Sequence, residues 1–257
     1  MAHNSIFQEE RKQQILKILN NKNRINVIEM CDMFNVSAST ARNDLKGLEA
    51  DGIIKRTHGG AILINKIDNE IPSTQNEIIM LAEKAAIAKK TLDLINDGET
   101  IGISTGSTGY ALAKELVNKK NLTVITNDIK IAFFLEQNTN FNIFIVGGVI
   151  RNKFHYIINN ADFPKNISIN KFFFSCNGFS IENGATIYDI MLSENEKYFL
   201  KLSQKRILLC DNSKLEVTHF AQILPIEQID IIVVDKNISK DYIKKFNSFS
   251  CQLVISD

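Results

Sequence analysis

The chain has 257 residues, 44% hydrophobic and 23% charged, with 30 basic against 29 acidic side chains and a formal net charge of +1. This composition fits a globular chain long enough for two domains and excludes intrinsic disorder. The longest apolar stretches, such as residues 143–146 and 231–234, are strand-sized and far short of the ~20 residues that cross a bilayer.

No charged segment followed by an apolar one opens the chain, so the expectation is a cytoplasmic protein with no membrane partner. An amphipathic run covers residues 10–34. Ile15, Ile18 and Leu19 mark one helical face, and Val27, Ile28, Cys31 and Phe34 mark a second, so two short helices can share a small core. Asn35 and Val36 break the pattern, and Ser37 is placed to cap a third helix by accepting a backbone hydrogen bond from Thr40 or its neighbour. In that helix Ala41, Leu45 and Leu48 face inward. Ser39, Thr40, Arg42, Asn43 and Lys46 lie opposite, carrying groups that bond phosphate oxygens or base edges in a major groove. Gly52 ends the helix, and residues 53–61, with Lys55, Arg56 and His58, read as two short strands around a basic tip. The unit reads as a winged helix-turn-helix that contacts a double-stranded DNA operator through Ser37, Ser39, Thr40, Arg42, Asn43, Lys46, Lys55, Arg56 and His58. A small helical domain with a merely solvated polar face is the competing reading. Residues 5–60 hold nine basic and seven acidic side chains, so charge does not separate the two, and DNA affinity would have to come from local placement and dimerisation.

Residues 11–61 closely resemble the N-terminal signature of the DeoR family of bacterial transcriptional regulators. The likeness rests on Val36-Ser37, on Thr40 to Leu45, on Leu48-Glu49, on Gly52 and on Arg56-Thr57-His58-Gly59-Gly60-Ala61. That family usually has a second arginine where this chain has Asn43, and asparagine prefers adenine where arginine prefers guanine.

Residues 61–77, with Pro72, Ser73 and Thr74 and no periodicity, read as a linker between a domain at 1–60 and a second at 78–257. Beyond it helix and strand alternate. Ala85, Ala88, Leu92 and Ile95 share a helical face, and Tyr110, Ala113, Leu116 and Val117 mark a second helix. Further helices are expected over 129–135 and 194–202. Strands are expected at 100–103, 122–126, 143–146, 171–176, 207–210, 231–234 and 252–255. Nearly continuous Ile, Val and Phe in strands separated by helices imply a Rossmann-like, mainly parallel α/β domain covered on both faces.

In such sheets ligands sit beyond the carboxyl ends of the strands. After the first strand comes Ser104-Thr105-Gly106-Ser107-Thr108-Gly109, leading straight into a helix. Small residues, hydroxyls and free helix N–H groups make either a phosphate cradle or a tight strand-to-helix turn. Asn127, Gly147, Gly148, Asn177 and Gly178 follow other strands, and Lys214 adds a positive charge suited to a phosphate. Each alone is ordinary turn chemistry, but their joint placement favours a pocket. The four cysteines (Cys31, Cys176, Cys210, Cys251) and four histidines are widely spaced, so buried thiols are expected and neither a metal site nor a cofactor.

This half resembles the DeoR effector domain, related in fold to ribose-5-phosphate isomerases, through Glu83-Lys84, Gly98-Glu99, Gly106-Ser107-Thr108, Thr126-Asn127, Gly147-Gly148, Gly178, Glu194 and Asp211 to Lys214. The resemblance implies a phosphorylated sugar or related metabolite held by Ser104 to Thr108, Asn127, Gly147, Gly148, Asn177, Gly178 and Lys214. The family loop begins with aspartate where this chain has Ser104, and a glycine usual after Gly147-Gly148 is replaced in the neighbourhood of Asn159-Asn160. Two rival readings are an isomerase-like enzyme and a protein-interaction module. Proton transfer between adjacent carbons needs a positioned carboxylate, and residues 177–180 (Asn-Gly-Phe-Ser) supply none. The reading favoured is therefore a ligand-responsive, non-enzymatic repressor of sugar-utilisation genes, acting as a dimer or tetramer on paired half-sites.

Overall fold

The computed structural model describes residues 11–12, 14–16, 18–19, 24–50, 54–57, 59–63, 79–158, 166–246 and 248–257. The chain divides into two compact units, Met1–Ile79 and Met80–Asp257.

In the first unit the described positions of residues 11–19 are helical. Strand β1 (Arg24–Asn26) follows, then helices α1 (Val27–Phe34) and α2 (Ala38–Ala50) and strands β2 (Ile54–Thr57) and β3 (Gly60–Leu63). Asn26 starts α1 with a capping box. Its Oδ1 accepts the Glu29 N–H at 2.7 Å, and Glu29 Oε2 accepts the Asn26 N–H at 3.2 Å. Asn35 ends α1 in the left-handed region, at φ 50°. The wing is larger than expected, because β1 pairs antiparallel with β3 to give the order β1-β3-β2. Ala61, expected to open the linker, lies inside β3 and is buried. Gly52, Ile53, His58 and residues 64–78, with the rest of that linker, lie outside the described residues. One assignment on α1 is corrected. Ile28 is 74% exposed, whereas Met30 and Phe34 are buried with Val27 and Cys31 packed beside them. The spacing 27, 30, 31, 34 follows one helical face and leaves residue 28 pointing away.

The second unit is built on a seven-stranded sheet, every neighbouring pair of which is parallel. Its strands are β4 (Thr100–Ile103), β5 (Thr123–Thr126), β6 (Asn142–Ile145), β9 (Ile169–Ser175), β12 (Ser203–Cys210), β14 (Ile231–Val234) and β15 (Gln252–Ile255), in the order β15-β14-β12-β9-β4-β5-β6. Side-chain alternation gives two cores. Phe173, Ile207, Leu209 and Val233 face helices α3 (Leu81–Thr91), α4 (Ser107–Glu115) and α5 (Ile129–Asn138). Phe172, Phe174, Leu208 and Ile232 face α6 (Ile190–Lys201) and α7 (Lys240–Phe246). Helix α3 buries Lys84, Ile87, Ala88 and Thr91, while Ala85, expected inside, is exposed. Smaller pieces complete the unit: a hairpin of β7 (Val149–Ile150) with β8 (Ile157–Ile158), and an antiparallel sheet of β10 (Gly178–Ser180), β11 (Gly184–Ile187) and β13 (Ala221–Leu224). Cys176, Cys210 and Cys251 are buried free thiols and Cys31 is half-buried. No helix among the described residues is long and apolar enough to cross a membrane.

Candidate functional site

Helix α2 carries the polar face read from the sequence. Ser39, Arg42, Asn43 and Lys46 are exposed along it at helical spacing. At its start Ser37 Oγ accepts the Thr40 N–H at 3.2 Å and lies 2.8 Å from Ser39 Oγ and 2.9 Å from Thr40 Oγ1. Three hydroxyls thus gather where the helix N-terminus favours an anion. The opposite face holds a feature the sequence reading missed. Asp44 is 1% exposed and accepts from Arg11 Nε at 2.6 Å and Nη2 at 3.1 Å. This two-pronged contact fixes the first helix against α2. Its signal was available, since Asp44 sits between the inward positions Ala41 and Leu45 and needs a partner there.

Arg56 does not project from the wing tip. It lies in β2, where its N–H donates to Glu49 Oε1 at 3.0 Å and its Nε to Oε2 at 2.5 Å. Lys55 pairs by backbone with Ile62 in the same hairpin, and its side chain, like all of His58, lies outside the described residues. For Arg42, exposed on the polar face of α2, replacement by Ala is expected to weaken binding to an operator selected in vitro by ~1–3 kcal/mol if it reads a base, and to weaken all sequences alike if it holds phosphate. Gel-shift titrations on selected and scrambled duplexes separate these outcomes.

In the second unit the sheet order reverses between β4 and β9: β5 and β6 build outward on one side, β12, β14 and β15 on the other. Crevices form at such switch points. The loop after β4 lies there, anchored by the Ser104 N–H to the Phe173 carbonyl at 2.9 Å and by Ser175 Oγ to the Thr105 carbonyl at 3.5 Å. Gly106 precedes α4 with φ +115°, a conformation that favours glycine, and caps it with no side-chain hydrogen bond. In contrast, α5 and α6 are capped by the carboxylates of Asp128 and Asp189. The first turn of α4 therefore keeps its N–H groups without a side-chain acceptor.

Thr105 Oγ1 donates to Asp128 Oδ2 at 2.7 Å, and the Gly106 N–H reaches the same oxygen at 3.4 Å. Burial pushes the Asp128 carboxyl up, against the Thr105 hydroxyl and the backbone N–H groups that stabilise its charge. Thr108 is 1% exposed and its hydroxyl has no protein partner. On the other side of the switch point Lys214 lies 3.6 Å from Asp211. Burial opposes the ammonium charge, but Asp211 outweighs it and holds Lys214 above the ordinary lysine range. Burial likewise pushes Asp211 up, and Lys214 with Lys84 pulls it below the usual carboxylate range. Lys84, on the inward face of α3, was read from the sequence only as part of the Glu83-Lys84 resemblance and not as a pocket residue. Glu196, whose Oε1 accepts from Ser104 Oγ at 2.6 Å, was not singled out from the sequence.

The remaining expected pocket residues sort differently. Asn127 is buried beside the loop and bonds the Ile157 carbonyl through Nδ2 at 3.4 Å. Gly147 and Gly148 are exposed beyond the edge strand β6, with open space beside Gly147. Asn177 accepts the Tyr188 N–H at 3.3 Å, and Gly178 packs so closely on Val217 that a Cβ would lie 2.5 Å from its carbonyl oxygen. Backbone packing accounts for that glycine.

Two family models match the chain: the DeoR-like helix-turn-helix domain over residues 11–67 and the DeoR C terminal sensor domain over residues 79–236. The chain belongs to the DeoR family. The HTH-type transcriptional regulator GolR of Listeria innocua is 35% identical over 98% of this chain and 100% of its own length. The HTH-type transcriptional repressor GlcR of Bacillus subtilis is 32% identical over 90% of each chain, and the lactose phosphotransferase system repressor of Staphylococcus epidermidis 29% identical over 89% of this chain and 92% of its own. Ribose 5-phosphate isomerase from Plasmodium falciparum superposes with a TM-score of 0.40 over 52% of each chain at 18% identity, too distant to bear on function. This DeoR-family protein is a transcriptional regulator with a DNA-binding and a sensor domain, and not an enzyme.

Proposed function

We propose that the protein is a cytoplasmic repressor of genes for sugar uptake or breakdown, that it binds its operator as a dimer or tetramer through α2 and the wing, and that a phosphorylated sugar bound in the sensor domain alters that binding. The observation that carries the ligand reading is the start of α4: a helix N-terminus without a side-chain cap, at the switch point of the sheet, with the buried Thr108 hydroxyl unpartnered. The Lys214 and Lys84 charges acting on Asp211 supply positive potential at the neighbouring strand end. Relatives named as repressors, one of a lactose phosphotransferase system, support the choice of sugar genes and of repression. Assembly into at least a dimer follows from reading paired half-sites. It is supported by an apolar band at the edge of the sheet, where Phe133, Phe144, Val149 and Ile150 are all more than half exposed.

Because the Thr108 hydroxyl has no protein partner, Thr108→Val should leave the melting temperature within about 1 °C of wild type. If the hydroxyl bonds the ligand, the same change lowers affinity for the tightest-binding pentose or hexose phosphate by roughly tenfold, the value of one hydrogen bond. Calorimetric titration of the full chain measures this, and operator gel shifts with and without the sugar phosphate measure the response. Failure of every sugar phosphate to bind, or binding that leaves operator affinity untouched, rejects the proposal.

A further inference from the structure

Only one oxygen of the Glu196 carboxyl is used. Ser104 Oγ donates to Oε1, while Oε2 is enclosed by protein without a partner. A second such atom belongs to Asn127, which is 1% exposed and leaves its Oδ1 unpartnered. The two lie in one local network. Asn195, beside Glu196 on α6, donates to the Ile157 carbonyl at 3.0 Å, the same carbonyl that Asn127 Nδ2 approaches. Ser104 leads into Thr105, whose hydroxyl bonds Asp128, the neighbour of Asn127. Buried polar atoms are almost always paired, and these two exceptions are linked through hydrogen bonds around the loop after β4 and the Ile157 carbonyl.

We infer that Glu196 and Asn127 form the hydroxyl-reading end of the effector pocket, with Glu196 Oε2 donating to an oxygen of the bound molecule and Asn127 Oδ1 accepting from one of its hydroxyls. The ligand is then a polyol or sugar with hydroxyls side by side at the end remote from its phosphate, since a hydroxyl both donates and accepts. The inference rests on the phosphate-cradle reading proposed above. The hydrogen-bond sense requires Glu196 to be a neutral acid: Oε1 accepts from Ser104, so the proton is on Oε2. Its surroundings agree. Among the described residues no ion pair includes Glu196, and the titratable groups on the elements packed against α6 have other partners or no opposite charge to offer. By β8, Tyr156 donates to Asp189. On β9 Lys171 bonds Glu99, and Cys176 beyond it shares a hydrogen bond with Cys210 of β12. Lys205 of β12 turns to Asp230, the Arg206 guanidinium donates to the Gln228 carbonyl at 3.1 Å, and Asp211 is paired with Lys214. Tyr188 after β11 packs against His219 before β13 with ring centroids 4.0 Å apart, and on α6 itself Glu194 pairs with Lys197. At that end Arg151 pairs with Asp189, and the His155 carbonyl, next to Tyr156, accepts the Ile129 N–H. Burial raises Glu196 to about 8, which keeps it protonated at neutral pH.

The test titrates the full chain with ribose 5-phosphate, fructose 6-phosphate, glucose 6-phosphate and sorbitol 6-phosphate, using inorganic phosphate as reference. At pH 6.5 the best sugar phosphate is expected to bind wild type at least 100-fold more tightly than inorganic phosphate, and Glu196→Leu or Asn127→Leu should shrink that margin about tenfold. Between pH 6.5 and 9 the wild-type margin should fall by about tenfold, as Glu196 ionises and loses its donor, while Glu196→Gln should show no such fall. The pH profile of the Gln variant carries the test if the Leu variants misfold. Infrared difference spectra of ligand-free wild type and Glu196→Gln at pH 7 should show the stretch of one protonated carboxyl. An undiminished margin in both Leu variants, a flat wild-type profile or a missing carboxyl band each overturns the inference. Binding of inorganic phosphate with no gain for any sugar phosphate removes this inference and leaves the cradle, whereas no binding of any of these probes removes the cradle as well.

Discussion

Replacing Arg11 by alanine is expected to destabilise the N-terminal unit by about 3–5 kcal/mol, the range found when one partner of a buried ion pair is removed. Asp44 is 1% exposed and sits on the inward side of α2 next to Leu45, so its charge would stay where water cannot reach it. Both oxygens of that carboxylate now accept from the guanidinium, and alanine would leave them without it. The loss is comparable with the whole stability of a domain of this size, so operator binding should disappear at 37 °C while the sensor unit, Met80–Asp257, melts as before. A double variant separates charge from packing. Arg11→Met with Asp44→Leu fills the same space with apolar groups, and such replacements of buried ion pairs are often neutral or stabilising. Calorimetric melts resolve the two units, and a shift in the first corresponding to less than 1 kcal/mol for Arg11→Ala would show that the pair contributes little.

The inner strands of the parallel sheet were legible because a strand buried on both faces must be apolar at nearly every position, and the edge strands β6 and β15, largely exposed, were legible only as short runs of Ile, Val, Leu and Phe. Phe172, Phe173 and Phe174 are successive and all buried, in two different cores. The missed elements are those whose identity comes from pairing at a distance. Strand β1 has three residues and depends on Gly60 to Ile62, more than thirty positions later, and β7 and β8 have two residues each, too short for any period. The proposed pocket was legible through its loop and cation, because glycine, hydroxyls and lysine at strand ends carry a local signature. Its buried ionisable partners were not, because on a helix they look like surface residues. Lys84 shares the inward face of α3 with Ile87, Ala88 and Thr91, and Glu196 that of α6 with Leu192, Phe199 and Leu200. Periodicity could have found both, had charged residues at inward positions been tracked as closely as apolar ones. Similarly, Arg56 counted as free for DNA until the hairpin brought it back onto Glu49.

The buried acid on α6 makes the stability of the sensor unit depend on pH in a direction opposite to that of ordinary paired carboxylates. Glu196 titrates near 4.5 when unfolded and at about 8 in the folded chain, since burial raises it more than the Ser104 hydrogen bond lowers it. Between these values the folded state holds a proton that the unfolded state has released, so stability falls as pH rises, by about 1.4 kcal/mol per unit. The contribution is whole below about pH 4.5 and is lost by the time pH has passed 8, a total on the order of 4–5 kcal/mol. Asp211, held below its usual range by Lys214 and Lys84, has the opposite sign: its contribution is present at neutral pH and lost on acidification. Glu196→Gln keeps the shape and a donor but cannot ionise, so the difference between variant and wild type isolates one group. Urea unfolding at pH 5, 7 and 9 should show the two proteins converging at the acid end and the Gln variant ahead by several kcal/mol at the alkaline end. Parallel profiles for the two proteins would mean that Glu196 is ionised in the fold, with a cation or water supplying the stabilisation that the protein contacts do not.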